Sequence, residues 1–259
     1  MTHKVKFENR ETSIYKFPDR LQNLIYLLSQ TNNLTSNQVC QSLKTAKIQP
    51  EDLLPWTTFD HPITHSYGRK LVYHGGYFEV MVMSWAPGDI SAIHDHGKTQ
   101  WGAVQCFGKA KHWSFQLNNR LLQTREYSEI TPGQIVEVSH ELIHQMGNYT
   151  QDYFLSLHIY GNSQKPSSIT GNARIFDLFE QTIQYTDGGV FFCLPETDIS
   201  RKILGISADP ASALRHHKQM YSRINSILRF FPPDLEYWQA KALKLEREIS
   251  RLSQIENLN

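Results

Sequence analysis

Leu21, Leu24, Ile25 and Leu28 recur at intervals of three and four residues, which predicts an amphipathic helix near the start of the chain. Thr35 followed by Gln38 has the form of a capping box, so a second short helix carrying Val39 and Leu43 is expected to begin there. Pro50 and Pro55 close this region. From Tyr67 onward the texture changes to short apolar or alternating runs separated by Gly, Pro, Asn and Asp. The runs 77–85, 102–107, 111–117, 135–138 and 154–160 read as strands, and 175–185 is expected to pair with 190–194 across Asp187-Gly188-Gly189. Strands at this spacing, with no helical pattern between them, predict a mainly β fold in the form of an antiparallel barrel or jelly roll. After Pro195 the chain turns helical again. Leu235, Trp238, Ala242, Leu245, Ile249 and Leu252 step by three and four with charges on the other faces. Such a row suits a helix packed on its own barrel or the seam of a homodimer. The expected division is a helical segment at 1–55, a barrel at 56–198 and a helical extension at 199–259.

Composition narrows the partners. The 259 residues are 40% hydrophobic and 12% aromatic, enough for one substantial core. Lys and Arg number 26 against 25 Asp and Glu, so there is no basic excess to attract nucleic acid or an anionic membrane surface, and a small molecule is the expected partner. The first ten residues hold no apolar leader core and no run approaches 18 apolar residues, which leads us to expect a cytoplasmic protein. Cys40, Cys106 and Cys193 are odd in number, widely spaced and without C-x-x-C spacing, so they read as small buried hydrophobes.

The chemistry concentrates in His94-Asp95-His96 and in His144, 48 residues beyond His96. Histidines at i and i+2 share one face of an extended segment, about 6.5–7 Å apart along it, so both rings can lean onto one ion. With His144, three imidazoles would hold a metal and leave coordination positions open. A competing pattern overlaps the third histidine. His140-Glu141-Leu142-Ile143-His144 matches H-E-x-x-H, the zinc-protease motif, which requires a helix and a third ligand. It follows an alternating strand and reaches Gly147-Asn148 barely two turns after Ser139, and it leaves His94 and His96 without a role. We therefore read it as a chance match, with His140 beside the site or on the surface. His61, His65, His74 and His112 lie outside any ligand spacing, and His216-His217 fall in a charged helical stretch expected to be solvated.

Gly88, five residues, His94-x-His96 and then Gly108 are similar to the first cupin motif, and His144 with Asn148 to the second. Tyr67-Gly68-Arg69-Lys70-Leu71-Val72 before them and Ser156-Leu157-His158-Ile159-Tyr160 after them resemble signatures of the cysteine dioxygenase family. That resemblance implies a cupin barrel. It also implies iron(II) held by His94, His96 and His144, and conversion of L-cysteine and O2 to cysteine sulfinic acid. Arg69 would hold the substrate carboxylate through its planar fork, beside Tyr67. Relatives acting on 3-mercaptopropionate carry glutamine at the position of Arg69. Ser156, His158 and Tyr160 alternate along one strand and would form a hydrogen-bonded row ending at the metal.

The chain departs from the family at one place. Animal cysteine dioxygenases carry a cysteine there that crosslinks to the tyrosine matching Tyr160, and the equivalent position in this chain is Trp101. Trp101 is expected as a wall of the substrate pocket, and no crosslink is expected. Two rival readings remain: a dioxygenase for 3-mercaptopropionate or another small thiol, and a non-catalytic cupin that senses a metal or a thiol.

Overall fold

The computed structural model describes residues 17–256. Twelve strands dominate it: β1 (Gly68–His74), β2 (Phe78–Trp85), β3 (Trp101–Cys106), β4 (Ala110–Asn118), β5 (Leu121–Ile130), β6 (Ile135–Ser139), β7 (Ile143–Gly147), β8 (Phe154–Gly161), β9 (Ala173–Asp177), β10 (Thr182–Thr186), β11 (Arg201–Leu204) and β12 (Ser207–Ala208). One sheet has the order β1-β2-β8-β3-β6, a second β12-β5-β4-β7, and a third β11-β10-β9. All pairings are antiparallel except the short β12–β5 contact. The result is the mainly β barrel that the pattern predicts, in keeping with the cupin architecture that the resemblance implies, with helices at both ends of the described residues.

The helices α1 (Asp19–Ser29) and α2 (Ser36–Ala46) form where the periodicity places them, and Thr35 and Gln38 make the reciprocal capping box. Leu21, Leu24, Leu28, Val39 and Leu43 pack on the outer face of the five-stranded sheet, against Val80, Val82, Leu155, Leu157 and Ile159. The opposite face of the same strands, including Met81, Met83, Trp85 and Val104, belongs to the barrel interior. Covered on both sides, β2, β3 and β8 are buried along their whole lengths.

Three expectations need correction. The second half of the barrel has its hairpin between β9 and β10, not across Asp187-Gly188-Gly189. Asp177 Oδ1 accepts from the backbone N–H groups of Phe179 and Glu180 at 3.0 Å each, which turns the chain inside the apolar run 175–185. Residues 190–194 form no regular strand and meet the barrel through a bridge between Ser91 and Phe191 and through the Ala92 N–H, which donates to the Val190 carbonyl at 3.0 Å. The extension is not purely helical either, since β11 and β12 precede α3 (Pro210–Leu228) and α4 (Leu235–Glu256). The apolar row of α4 turns inward on its own chain, one of the two arrangements its spacing suits. Ala242 and Leu245 join Met220 and Ile224 of α3 in the main core. His216 and His217, expected in solvent, are 1% and 5% exposed because α3 lies between α4 and the barrel. Among the described residues no helix is long and apolar enough to cross a membrane.

Candidate metal centre

His94 and His96 lie on the extended segment between β2 and β3, and His144 on β7. The segment is not a regular strand. It is held by single bridges, in which His94 N–H donates to the His144 carbonyl and His144 N–H returns the bond to the His94 carbonyl, both at 2.9 Å. This pair fixes two ligands relative to each other through the backbone. Along the segment His94 and His96 turn their rings toward His144, while the buried Asp95 carboxylate turns toward Gly97 and Arg174. The Asp95 carboxylate accepts from Gly97 N, Arg174 N and Arg174 Nε, which removes it as a ligand.

The three rings meet. Their centroids are 5.2, 4.6 and 4.8 Å apart, and a ligand nitrogen from each lies within 4.8 Å of the others. Among the described residues this is the one cluster of His, Cys, Asp or Glu with such geometry. The donor set fits a divalent metal. His94 Nδ1 is bound at 2.9 Å to the Ala92 carbonyl, which makes it the protonated nitrogen and turns the Nε2 lone pair inward. His144 Nε2 and His96 Nε2 face each other at 3.1 Å. Burial holds His94 down to about 4 and keeps His96 and His144 well below the usual histidine range, with mutual repulsion among the rings adding to the effect. All three rings are therefore neutral near pH 7, and each could offer a lone pair to a metal.

A fourth histidine contacts His144. His112 Nε2 of β4 lies 2.9 Å from His144 Nδ1, and His112 Nδ1 lies 3.4 Å from Ser128 Oγ. Sequence spacing gave no reason to select His112. The contact arises because β4 pairs with β7 in the register that sets Ser114 opposite His144, which makes His112 the diagonal neighbour on the same face. His140, by contrast, is exposed and bound to the Thr99 carbonyl at 2.8 Å, in the turn between β6 and β7. H-E-x-x-H therefore spans a strand turn and not a helix.

The metal-facing cavity is small, about 40 Å³, and its walls include Tyr67, Arg69, Met83, Trp85, His158 and Tyr160. Tyr67 stacks on Trp85 at 4.8 Å. Arg69 is half-buried and forms no ion pair with any described carboxylate, yet its charge acts on Tyr67, His158 and Tyr160. Ser156, His158 and Tyr160 form the expected row: Ser156 Oγ to His158 Nε2 is 2.7 Å and His158 Nδ1 to Tyr160 Oη is 2.8 Å. The row has a further member that spacing could not show, because Trp85 Nε1 donates to Ser156 Oγ at 2.8 Å.

Trp85 settles the direction of these bonds. Its indole can only donate, so the buried Ser156 hydroxyl accepts from Trp85 and donates its O–H hydrogen bond to His158 Nε2, which accepts. His158 Nδ1–H then donates to the Tyr160 oxygen, and the Tyr160 O–H is left to point into the cavity. Burial holds His158 down to about 3, consistent with a neutral ring, and pushes the Tyr160 phenol upward so that it keeps its proton.

Trp101 is not a wall of this cavity. It packs on the other face of β3, in the core beneath the N-terminal helices, with its ring over Gly161, where a Cβ would lie 2.0 Å from Trp101 Cη2. The residue facing Tyr160 is Gly102, whose missing Cβ would sit 3.2 Å from the Tyr160 ring. Cys106 lies on the interior face but opposite Ser156, where its thiol donates to the Gly108 carbonyl at 3.3 Å. Thr170, Ala173, Gly188 and Val190 complete the cavity and were not visible as site residues in the sequence.

The family model described as cysteine dioxygenase type I matches residues 13–166. A cysteine dioxygenase type 1 from Danio rerio is 28% identical over 160 residues, covering 58% of this chain and 78% of the relative. Among solved structures, an uncharacterized conserved protein with a double-stranded beta-helix domain from Klebsiella pneumoniae is 17% identical, with a TM-score of 0.33 over 42% of this chain and 91% of its own. A cupin-2 domain protein from Rhodospirillum rubrum is also 17% identical, with a TM-score of 0.31 over 38% of this chain and 60% of its own.

Proposed function

The chain belongs to the cysteine dioxygenase type I family, and on that footing we propose that it is an iron(II)-dependent thiol dioxygenase converting L-cysteine and O2 to cysteine sulfinic acid. The observation that carries this reading is the placement of Arg69. A half-buried guanidinium without a carboxylate partner lines the same small cavity as the three histidines. A pure metal sensor has no need of such a charge, whereas a thiol acid bound at the metal would neutralise it in bidentate fashion.

The reaction needs no outside reductant, since both oxygen atoms end on sulfur: the thiol sulfur gives up four electrons and dioxygen accepts them. Iron(II), when bound by His94, His96 and His144, supplies a site where thiolate and dioxygen meet. The residues of the chain do the rest. Arg69 takes the carboxylate and sets the reach of the thiol. Tyr160, its oxygen engaged by His158, directs its proton at the reacting atoms. Met83 and Trp85 exclude water from the space between. L-Cysteine and 3-mercaptopropionate share the thiol and the carboxylate, and the arginine favours cysteine by resemblance to the arginine-bearing members of the family.

The test is anaerobic reconstitution with iron(II), then oxygen uptake and product mass over a panel of thiols. Cysteine should give the sulfinic acid at one O2 per thiol, and cysteamine, without a carboxylate, should be poor. Arg69→Gln should raise KM for cysteine. Cysteamine turned over as well as cysteine would remove the carboxylate clamp, and no oxygen uptake with any thiol would favour the sensor.

A further inference from the structure

Arg69 lines two hollows at once. On its inner side is the metal-facing cavity of about 40 Å³, and on its outer side is a cleft of about 480 Å³ whose walls include His65, Asp187, Phe191, Asp198 and Ser200. Only one other residue, Gly188, lines both. The partition between them is thus an arginine and a residue without a side chain. Glycine is not required there by crowding or by a left-handed backbone: an added Cβ would meet only Thr186 Oγ1, at an ordinary 3.5 Å. The missing side chain relieves no clash. What it does is let the two hollows adjoin at a residue with no side chain of its own.

We infer that the outer cleft is a second substrate subsite, and that it takes the amino-terminal residue of a dipeptide ending in cysteine. The inference rests on the thiol dioxygenase reading for its chemistry, which is unchanged: both oxygens of O2 are added to the cysteine sulfur. Size and charge point to this class. The inner cavity holds little beyond a thiol and a carboxylate, while the cleft beyond Gly188 is an order of magnitude larger. Acylating the cysteine nitrogen with an amino acid keeps the free carboxylate for Arg69 and carries the ammonium outward by about one residue length, roughly 3.5 Å. There the cleft presents Asp187 and Asp198, neither of them in an ion pair among the described residues. Asp187 accepts from Asn172 N at 2.7 Å and Asp198 from Thr197 Oγ1 at 3.2 Å, contacts with neutral donors. His65 stacked on Phe191 at 4.2 Å supplies a flat wall between the arginine and the acids. A peptide extended from the cysteine carboxyl instead would lose the group that Arg69 recognises.

The experiment compares glycyl-cysteine, N-acetylcysteine, cysteinyl-glycine and cysteine by anaerobic calorimetry with iron(II) present, followed by oxygen uptake. Glycyl-cysteine should bind at least tenfold more tightly than N-acetylcysteine, which has the same backbone without the ammonium, and more tightly than cysteinyl-glycine. Asp187→Asn with Asp198→Asn keeps the acceptor atoms and should bring glycyl-cysteine within threefold of N-acetylcysteine while cysteine binds as before. Gly188→Leu should weaken glycyl-cysteine at least tenfold more than cysteine. Glycyl-cysteine binding no better than N-acetylcysteine, or a Gly188→Leu effect equal for dipeptide and cysteine, would overturn the subsite. Absence of oxygen uptake with every thiol would count against the dioxygenase reading and leave the binding order to decide the subsite.

Discussion

His112 Nε2 and His144 Nδ1 lie 2.9 Å apart, so one metal-facing imidazole is oriented by another imidazole. To keep its Nε2 lone pair free, His144 donates its Nδ1 proton, and His112 must accept it. This fixes the tautomer of both rings, as outer hydrogen bonds to metal-binding histidines generally do. His112→Ala should lower iron affinity by about 10- to 100-fold, and His112→Gln, which restores an acceptor, should recover part of it. Competition with a chelator measures this directly. Wild-type affinity in His112→Ala would reduce the contact to packing.

Tyr160 is held by His158 in the row that begins at Trp85. Tyr160→Phe should retain iron and fold but lose about ten- to a thousandfold in kcat, the scale of one well-placed donor. Because Gly102 faces Tyr160, intact-mass analysis should show no crosslink before or after turnover. Full activity in Tyr160→Phe would make the row ordinary core hydrogen bonding.

The two overlapping histidine patterns separate cleanly. His94→Ala, His96→Ala and His144→Ala should each abolish iron binding while the barrel stays folded, and His140→Ala should keep its iron. Metal analysis with circular dichroism on the same samples decides the matter. Iron lost from His140→Ala but kept by His94→Ala and His96→Ala would restore the protease-like assignment.

His217 connects stability to pH. Burial holds it down to about 4 in the folded chain, whereas an unfolded histidine titrates near 6.5. Between these values only the unfolded chain takes up the proton, so stability falls as pH drops from about 6.5 to about 4 and levels off below. The contribution lost by pH 5 is on the order of 2 kcal/mol. Denaturant unfolding of the wild type and His217→Gln at pH 7 and pH 5 tests this, with the variant expected to lose less on acidification. Equal losses would show that the ring titrates normally.

The local code was readable wherever a pattern lies within one element. The leucine periodicity of α1, the Thr35-Gln38 cap and the alternation of Ser156, His158 and Tyr160 needed no tertiary information, because each depends only on helix or strand geometry. The cluster of His94, His96 and His144 was legible because H-x-H and a distant histidine retain their spacing whatever the strands pair with. Register and layering lay beyond that reach. Trp101 and Gly102 are neighbours in sequence, and only the pairing of β3 with β8 decides which of them faces Tyr160. β5 escaped notice because one of its faces is exposed and polar, so that LLQTREYSEI lacks a strong apolar run. His216 and His217 look solvated in a charged stretch, but the packing of α4 over α3 buries them. The sequence by itself determined which side chains alternate, cap and repeat; the tertiary structure decided which faces meet, because contacts between strands far apart in the chain depend on a register that a shift of one residue reverses.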